Sequence, residues 1–133
     1  MRSEISRQQL RPLKRYAVDI GETMTKLAEK HCVPCRGGVP PLQGAQLIPF
    51  AEQLPDWKIV EEHHIAKSFL FPDFKAGLDF VNRVGAVAET EGHHPSLCLM
   101  WGQVDVQIYT HKIHGLTESD FVMAAKIDAV YLG

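Results

Sequence analysis

Three imidazoles stand out by their spacing. His93 and His94 are adjacent and followed by Pro95, and His111 lies beyond two hydrophobic runs that break at Gly102-Gln103. A strand, a tight turn and a second strand would return His111 to the side of the first two. No other stretch of the chain gathers so many groups that titrate near neutral pH as Glu89–Asp120. Imidazoles act as acid or base there with only small shifts in pKa, so the chemistry this pattern suggests is proton transfer on a small, fairly polar substrate. A metal is the weaker reading. Neighbours such as His93 and His94 point to opposite sides of a strand. His111-x-x-His114 lacks a convincing carboxylate partner, and the spacing fits no zinc pattern. No Ser or Cys is evidently paired with a base, which disfavours a covalent route. A lone histidine would most simply be a hydrogen-bonded core residue. Three that converge, with Pro95 restricting the chain before it, argue for a site.

Two further groups carry less. Cys32 and Cys35 form a C-x-x-C beside His31. A structural zinc site needs a second such half, and Cys98 is solitary in a predicted strand. Redox use would place the pair at a helix start in a βαβ unit, whereas here it lies in a loop rich in Pro and Gly. His63 and His64 fall at an expected turn and read as solvated surface.

The elements that must position these residues follow from periodicity. Residues 13–30 carry one narrow apolar stripe and predict a peripheral helix, followed by a Cys/Pro/Gly loop over 31–41; together 1–41 form an N-terminal extension to a domain spanning 42–133. Ala45–Leu54 predicts a helix, with Pro49 kinking it or marking its first turn. Trp57–Val60 and Ile65–Phe71 read as a hairpin turning at Glu62-His63. Asp73 caps a helix whose apolar face is Phe74, Leu78, Val81, Val84 and Ala88 and which ends at Gly92, delivering the chain to His93. Gly77, Gly85 and Ala86 would allow close approach of a helix or sheet. Leu97–Trp101 and Val104–Thr110 form the second hairpin, with Gly102 at the first central position of a type II′ turn. Val104, Val106 and Ile108 share one face of it. Thr117–Asp120 starts a final helix through Leu132, with Phe121, Ala124, Ala125, Ile127 and Tyr131 near one side. The order α-β-β-α-β-β-α predicts an α+β fold, a four-stranded antiparallel sheet with three helices on one face.

Bulk properties set the frame. A chain of 133 residues suits one domain with a tail, and 45% hydrophobic with 23% charged residues is ordinary for a globular protein. The formal net charge of −2 offers no basic surface for nucleic acid. No apolar run approaches the roughly 18 residues that suggest a membrane span, and the N-terminus lacks the apolar core of a secretory signal. Three cysteines cannot all pair within the chain, so a reducing cytoplasm is the expected setting.

Taken together, Glu89-x3-His93-His94-Pro95-x5-Trp101-x9-His111-x8-Asp120 resembles the signature of the pterin-4a-carbinolamine dehydratases. Leu54-Pro55-x-Trp57, Phe69-x-Phe71, Thr110-His111 and Gly115-Leu116-Thr117 agree with it too, so the similarity runs from about Leu42 to Tyr131. The resemblance implies the same sheet-and-helix fold. It implies dehydration of 4a-hydroxytetrahydropterin to quinonoid dihydropterin, recycling the pterin of an aromatic amino-acid hydroxylase, with no metal or organic cofactor. By resemblance His93 and His111 are the acid–base pair and His94 binds and orients the pterin. Glu89, Gly92, Tyr109, Thr110, Lys112 and Asp120 are implied substrate-binding or orienting residues. Tyr109 and Lys112 depart from smaller or acidic residues of some members and bear on which pterin side chain is preferred. The resemblance further implies a homodimer or homotetramer. Its alternative function is non-catalytic: binding, assembly or coactivation on the same fold.

Overall fold

A computed structural model describes residues 27–34 and 37–133. Most of the helix expected over 13–30 lies outside the described residues, as does Cys35; the described part of that helix, residues 27–29, is helical. A 3-10 turn, Gly44–Leu47, runs directly into α1, Ile48–Gln53, with Pro49 in the first turn of α1, where its missing N–H costs nothing. Then follow β1 Lys58–Val60, β2 His64–Leu70, α2 Phe74–Glu91, β3 Ser96–Met100, β4 Gln103–Ile108, a 3-10 turn His111–Ile113 and α3 Glu118–Leu132. The four strands form one antiparallel sheet in the order β1-β2-β4-β3. The expected α+β architecture is therefore present.

One sheet face is apolar because alternate residues point to it. Ile65, Phe69, Val104, Val106 and Ile108 are buried there beneath α2 and α3. Phe80 of α2 fills the centre, its ring 4.9 Å from Phe69 and 5.1 Å from Phe71. Phe50 of α1 stacks at 4.8 Å on Phe121 of α3. Trp57 Nε1 donates to Asp128 Oδ2 at 3.0 Å, and Lys67 Nζ donates to Asp128 Oδ1 at 2.8 Å, fastening α3 to the first hairpin. Leu27 is buried in the same core, so the end of the extension packs on the domain.

Four local expectations are corrected. The buried face of α2 is Gly77, Phe80, Val84 and Ala88, whereas Phe74 and Leu78 are exposed. Gly77 sets this rotation, since a Cβ there would lie 2.9 Å from Leu99 Cδ1; the helix touches the sheet at its smallest residue. Gly85 faces open space instead. The second hairpin turns at Trp101-Gly102, because Met100 pairs with Gln103. Gly102 has no positive φ; it is needed because a Cβ would come within 3.1 Å of the Phe71 carbonyl, while Phe71 N–H donates to Gly102 O at 2.9 Å. The first hairpin turns through Glu61–His63, with Glu61 at φ 53° and Glu62 at φ 56°, positions that favour glycine. Glu62 compensates in part by accepting the Gly44 N–H at 3.2 Å. Finally, α3 is buried on nearly all sides from Ser119 to Ala125 rather than along one stripe, and Tyr131 is exposed. It lies beneath α2, α1 and the extension at once.

Candidate active site

The end of α2 aims the first two histidines. Asp73 caps the helix start by accepting the Ala76 N–H at 2.9 Å. Gly92 ends it at φ 66°, ψ 27°, the left-handed conformation that turns the chain sharply. His93 and His94 follow at once in extended chain, so their rings diverge. His93 turns inward to the buried Asp120, with Nε2 and Oδ1 2.7 Å apart. His94 turns outward to Glu89, with Nε2 and Oε2 2.6 Å apart and both side chains largely exposed.

Asp120 is the pivot. Its carboxylate is completely buried at the third position of α3. Oδ2 accepts the Thr110 hydroxyl and the Thr117 N–H, both at 2.8 Å, while Oδ1 takes His93. The Thr117 contact closes a capping box that starts α3. One carboxylate thus joins the start of α3, the end of β4 and the histidine after α2. Because the carboxylate only accepts, His93 donates through Nε2, and its neutral form carries the free lone pair on Nδ1.

His111 arrives from the other side. Thr110 pairs with Gly115 as an isolated bridge, closing a tight loop around the 3-10 turn, and His114 adopts φ 51° to complete it. The His111 ring stacks flat on Tyr109, centroids 4.3 Å apart and planes 3° apart. Among the described residues its nitrogens have no hydrogen-bond partner. The stack fixes the plane of the ring and leaves its edge open.

A cleft of about 360 Å³ brings these groups together. Gly92, His93, His94, Tyr109, Thr110, His111 and Lys112 line it. Asp120 stands behind His93, and Glu89 lies outside the lining, behind His94. Sequence reasoning missed four lining residues, Cys32, Val33, Pro34 and Glu91. It also set His63 on solvated surface, whereas His63 is half-buried with its ring 4.5 Å from Tyr109. The antiparallel register that pairs Ile65 with Ile108 extends to bring the first turn beside Tyr109; the order of the strands was the missing signal. His63 Nδ1 and His64 Nδ1 are 3.1 Å apart, so one of the two must be an unprotonated acceptor. Burial, then the neighbouring His63, lowers the His64 pKa below the ordinary imidazole range.

The cleft contains imidazoles in two states of restraint: one held by a buried carboxylate, one stacked with its edge free. That suits proton donation and acceptance on a flat polar molecule. Among the described residues there is no group of three His, Cys, Asp or Glu placed to hold a metal ion. No helix among them is long and apolar enough to cross a membrane.

Several known proteins are similar to this chain. The family model described as pterin 4 alpha carbinolamine dehydratase matches residues 40–130. A protein of Rubrobacter xylanophilus, provisionally named a pterin-4-alpha-carbinolamine dehydratase, is 59% identical over 105 residues, covering 79% of this chain and 98% of that protein. One of Alkaliphilus metalliredigens with the same provisional name is 48% identical over 106 residues, covering 79% of this chain and 96% of its own length. A crystal structure from Brucella melitensis, described as a transcriptional coactivator/pterin dehydratase, superposes with a TM-score of 0.65 at 32% identity, covering 68% of this chain and 98% of its own. With most of its length matched by the family model and near relatives matched from end to end, the chain belongs to the pterin-4a-carbinolamine dehydratase family.

Proposed function

We propose that the protein dehydrates 4a-hydroxytetrahydropterin to quinonoid dihydropterin by histidine acid–base catalysis. The observation that carries this reading is the His93–Asp120 pair opening on the same cleft as His111. In the reaction the C4a–O bond breaks and the hydroxyl leaves as water, which requires a proton. A ring nitrogen gives up its proton as the C=N bond forms, which requires a base. His93, donating to Asp120 through Nε2, offers Nδ1 as that base, and the buried carboxylate stabilises the imidazolium that results. His111, with its edge open, protonates the leaving hydroxyl. Exchange with solvent then resets both rings. His94, braced by Glu89, and Lys112, Tyr109, Thr110 and Gly92 bind and orient the pterin. No metal or organic cofactor enters this scheme.

The same reading places the protein in pterin recycling beside an aromatic amino-acid hydroxylase, in the cytoplasm, as a homodimer or homotetramer. Exposed Leu70, Phe74, Leu78 and Trp101 and the outer edge of β3, unpaired among the described residues, support self-association. The test is decay of the carbinolamine with and without purified protein. Acceleration by wild type, lost in His93→Ala and His111→Ala, is expected; equal rates with and without protein would defeat the proposal. The coactivator wording attached to the Brucella structure supports a second, binding role. A stable complex with a larger protein that is indifferent to both substitutions would favour it.

A further inference from the structure

The cleft has a second wall that the family signature does not contain. Cys32, Val33 and Pro34 line it together with His93, His94 and Tyr109–Lys112. The family match begins only at residue 40. The match to the Rubrobacter protein takes in 105 residues of the 133, so it begins no later than residue 29 and spans residues 31–34.

The segment is fastened at several points. Lys126 Nζ donates to Ala28 O at 2.6 Å, and Lys30 pairs with Glu118 at 2.6 Å. Ser119 Oγ accepts the Val33 N–H at 2.8 Å. Glu91 is the central latch. Its side chain is only 5% exposed; Oε1 accepts the Cys32 N–H at 2.8 Å, and Oε2 meets His31 Nδ1 at 3.1 Å and Lys126 Nζ at 3.7 Å. A buried carboxylate is costly unless paired, and two of its three partners belong to the extension. Glu91 also sits two residues before His93, so the turn that aims the histidine also holds the wall. Beyond the latch, Val33 is 72% exposed, an apolar side chain among those that line the cleft. The Cys32 thiol, by contrast, is half-buried; burial, then the charge of Glu91, pushes its pKa up to about 12, which suits packing and not nucleophilic use.

We propose that residues 31–34, latched by Glu91 and Ser119, form a substrate-contacting wall, with Val33 and Pro34 meeting the substituent that distinguishes one pterin from another and Glu91 acting as a positioning residue. This rests on the pterin reading for its ligand but not for the latch. Cys32 supplies an independent readout: its alkylation is followed against pH and counted per thiolate, because loss of the Glu91 charge by itself makes the thiol more acidic, and so counted it rises only when the segment lifts. In full-length Glu91→Gln, alkylation of Cys32, located by fragment mass spectrometry, rises at least about tenfold and KM rises about tenfold with kcat little changed, the size of one lost hydrogen bond to a charged group. Val33→Ser, whose latch contacts are all backbone, leaves Cys32 protected. It changes the kcat/KM ratio between 4a-hydroxytetrahydrobiopterin and its 6-methyl analogue about threefold or more, as loss of a small apolar contact would. An unchanged kcat/KM ratio in Val33→Ser, or an unchanged KM in Glu91→Gln with Cys32 exposed, overturns the contact. Unchanged alkylation in Glu91→Gln overturns the latch. Inactivity of the wild type toward any carbinolamine defeats the pterin reading and with it the wall's ligand; the alkylation comparison still decides the latch.

Discussion

Asp120 joins His93, Thr110 and Thr117 through one buried carboxylate, and on the proposed mechanism it orients the base. Replacing it with Asn keeps the shape but puts an amide N–H or a weaker carbonyl where a carboxylate accepted three hydrogen bonds. The expected result is a fall in kcat of about 10²–10⁴-fold, the usual range for a general base that loses its orientation. In a His93→Ala background the same change adds little, because the two act as one unit; steady-state rates of the two single variants and the double variant check this. The His94–Glu89 pair differs in being largely exposed. Exposed ion pairs contribute at most about 1 kcal/mol, so Glu89→Ala should alter KM by no more than about fivefold with kcat retained. The histidines, Glu89 and Asp120 were legible in the sequence by type and spacing. The partner each histidine takes was not, because that depends on ring direction after Gly92, which only the folded turn sets.

At the scale of elements, the end of α2 does two jobs: Gly92 aims His93 and Glu91 holds the extension. Gly92→Ala places a Cβ at φ 66° and should cost about 1 kcal/mol, visible as a lower Tm and reduced activity together. Glu91 gives a pH signature. Its pKa is lowered, chiefly by the Cys32 N–H, then by His31 and Lys126, with desolvation opposing. A carboxylate with a depressed folded pKa contributes stability that is fully present above its unfolded pKa, about 4.3, and is lost as pH falls through the folded value. The Tm difference between wild type and Glu91→Gln should therefore close as pH falls below about 5; thermal melts across acidic pH check it. Helix and strand periods made the three helices and four strands of the described domain readable, though not the 3-10 turn His111–Ile113. Their rotations and turn centres were not: which side of α2 meets the sheet was decided by Gly77 against Leu99, and the tip of the second hairpin by Gly102 against the Phe71 carbonyl. Both are contacts between segments distant in the chain.

At the scale of the molecule, the sheet face away from α2 and α3 carries Ser68, Asp105 and Cys98 across one register row and ends in exposed Leu70 and Met100. Phe74, Leu78 and Trp101 are exposed as well, and exposed apolar side chains of this size favour association. Light scattering should give a mass that is a multiple of 14.9 kDa, and Phe74→Asp with Leu78→Asp should shift it toward the monomer. The α+β class was legible from element order alone, since two hairpins alternating with helices permit few arrangements. The cleft was only half legible: its histidine side lies in one continuous stretch, whereas the wall at Cys32–Pro34 comes from a loop whose sequence advertises flexibility more than contact.

The central claim is that His93 and His111 move the protons of a pterin dehydration. It is tested most directly by stopped-flow decay of 4a-hydroxytetrahydropterin with wild type, each single alanine variant and the double variant, all shown to be folded by circular dichroism. Rapid decay is expected with wild type, rates about 10²–10⁴-fold lower for each single variant, and a double variant near the rate in buffer. A double variant that still accelerates decay as wild type does would contradict the claim.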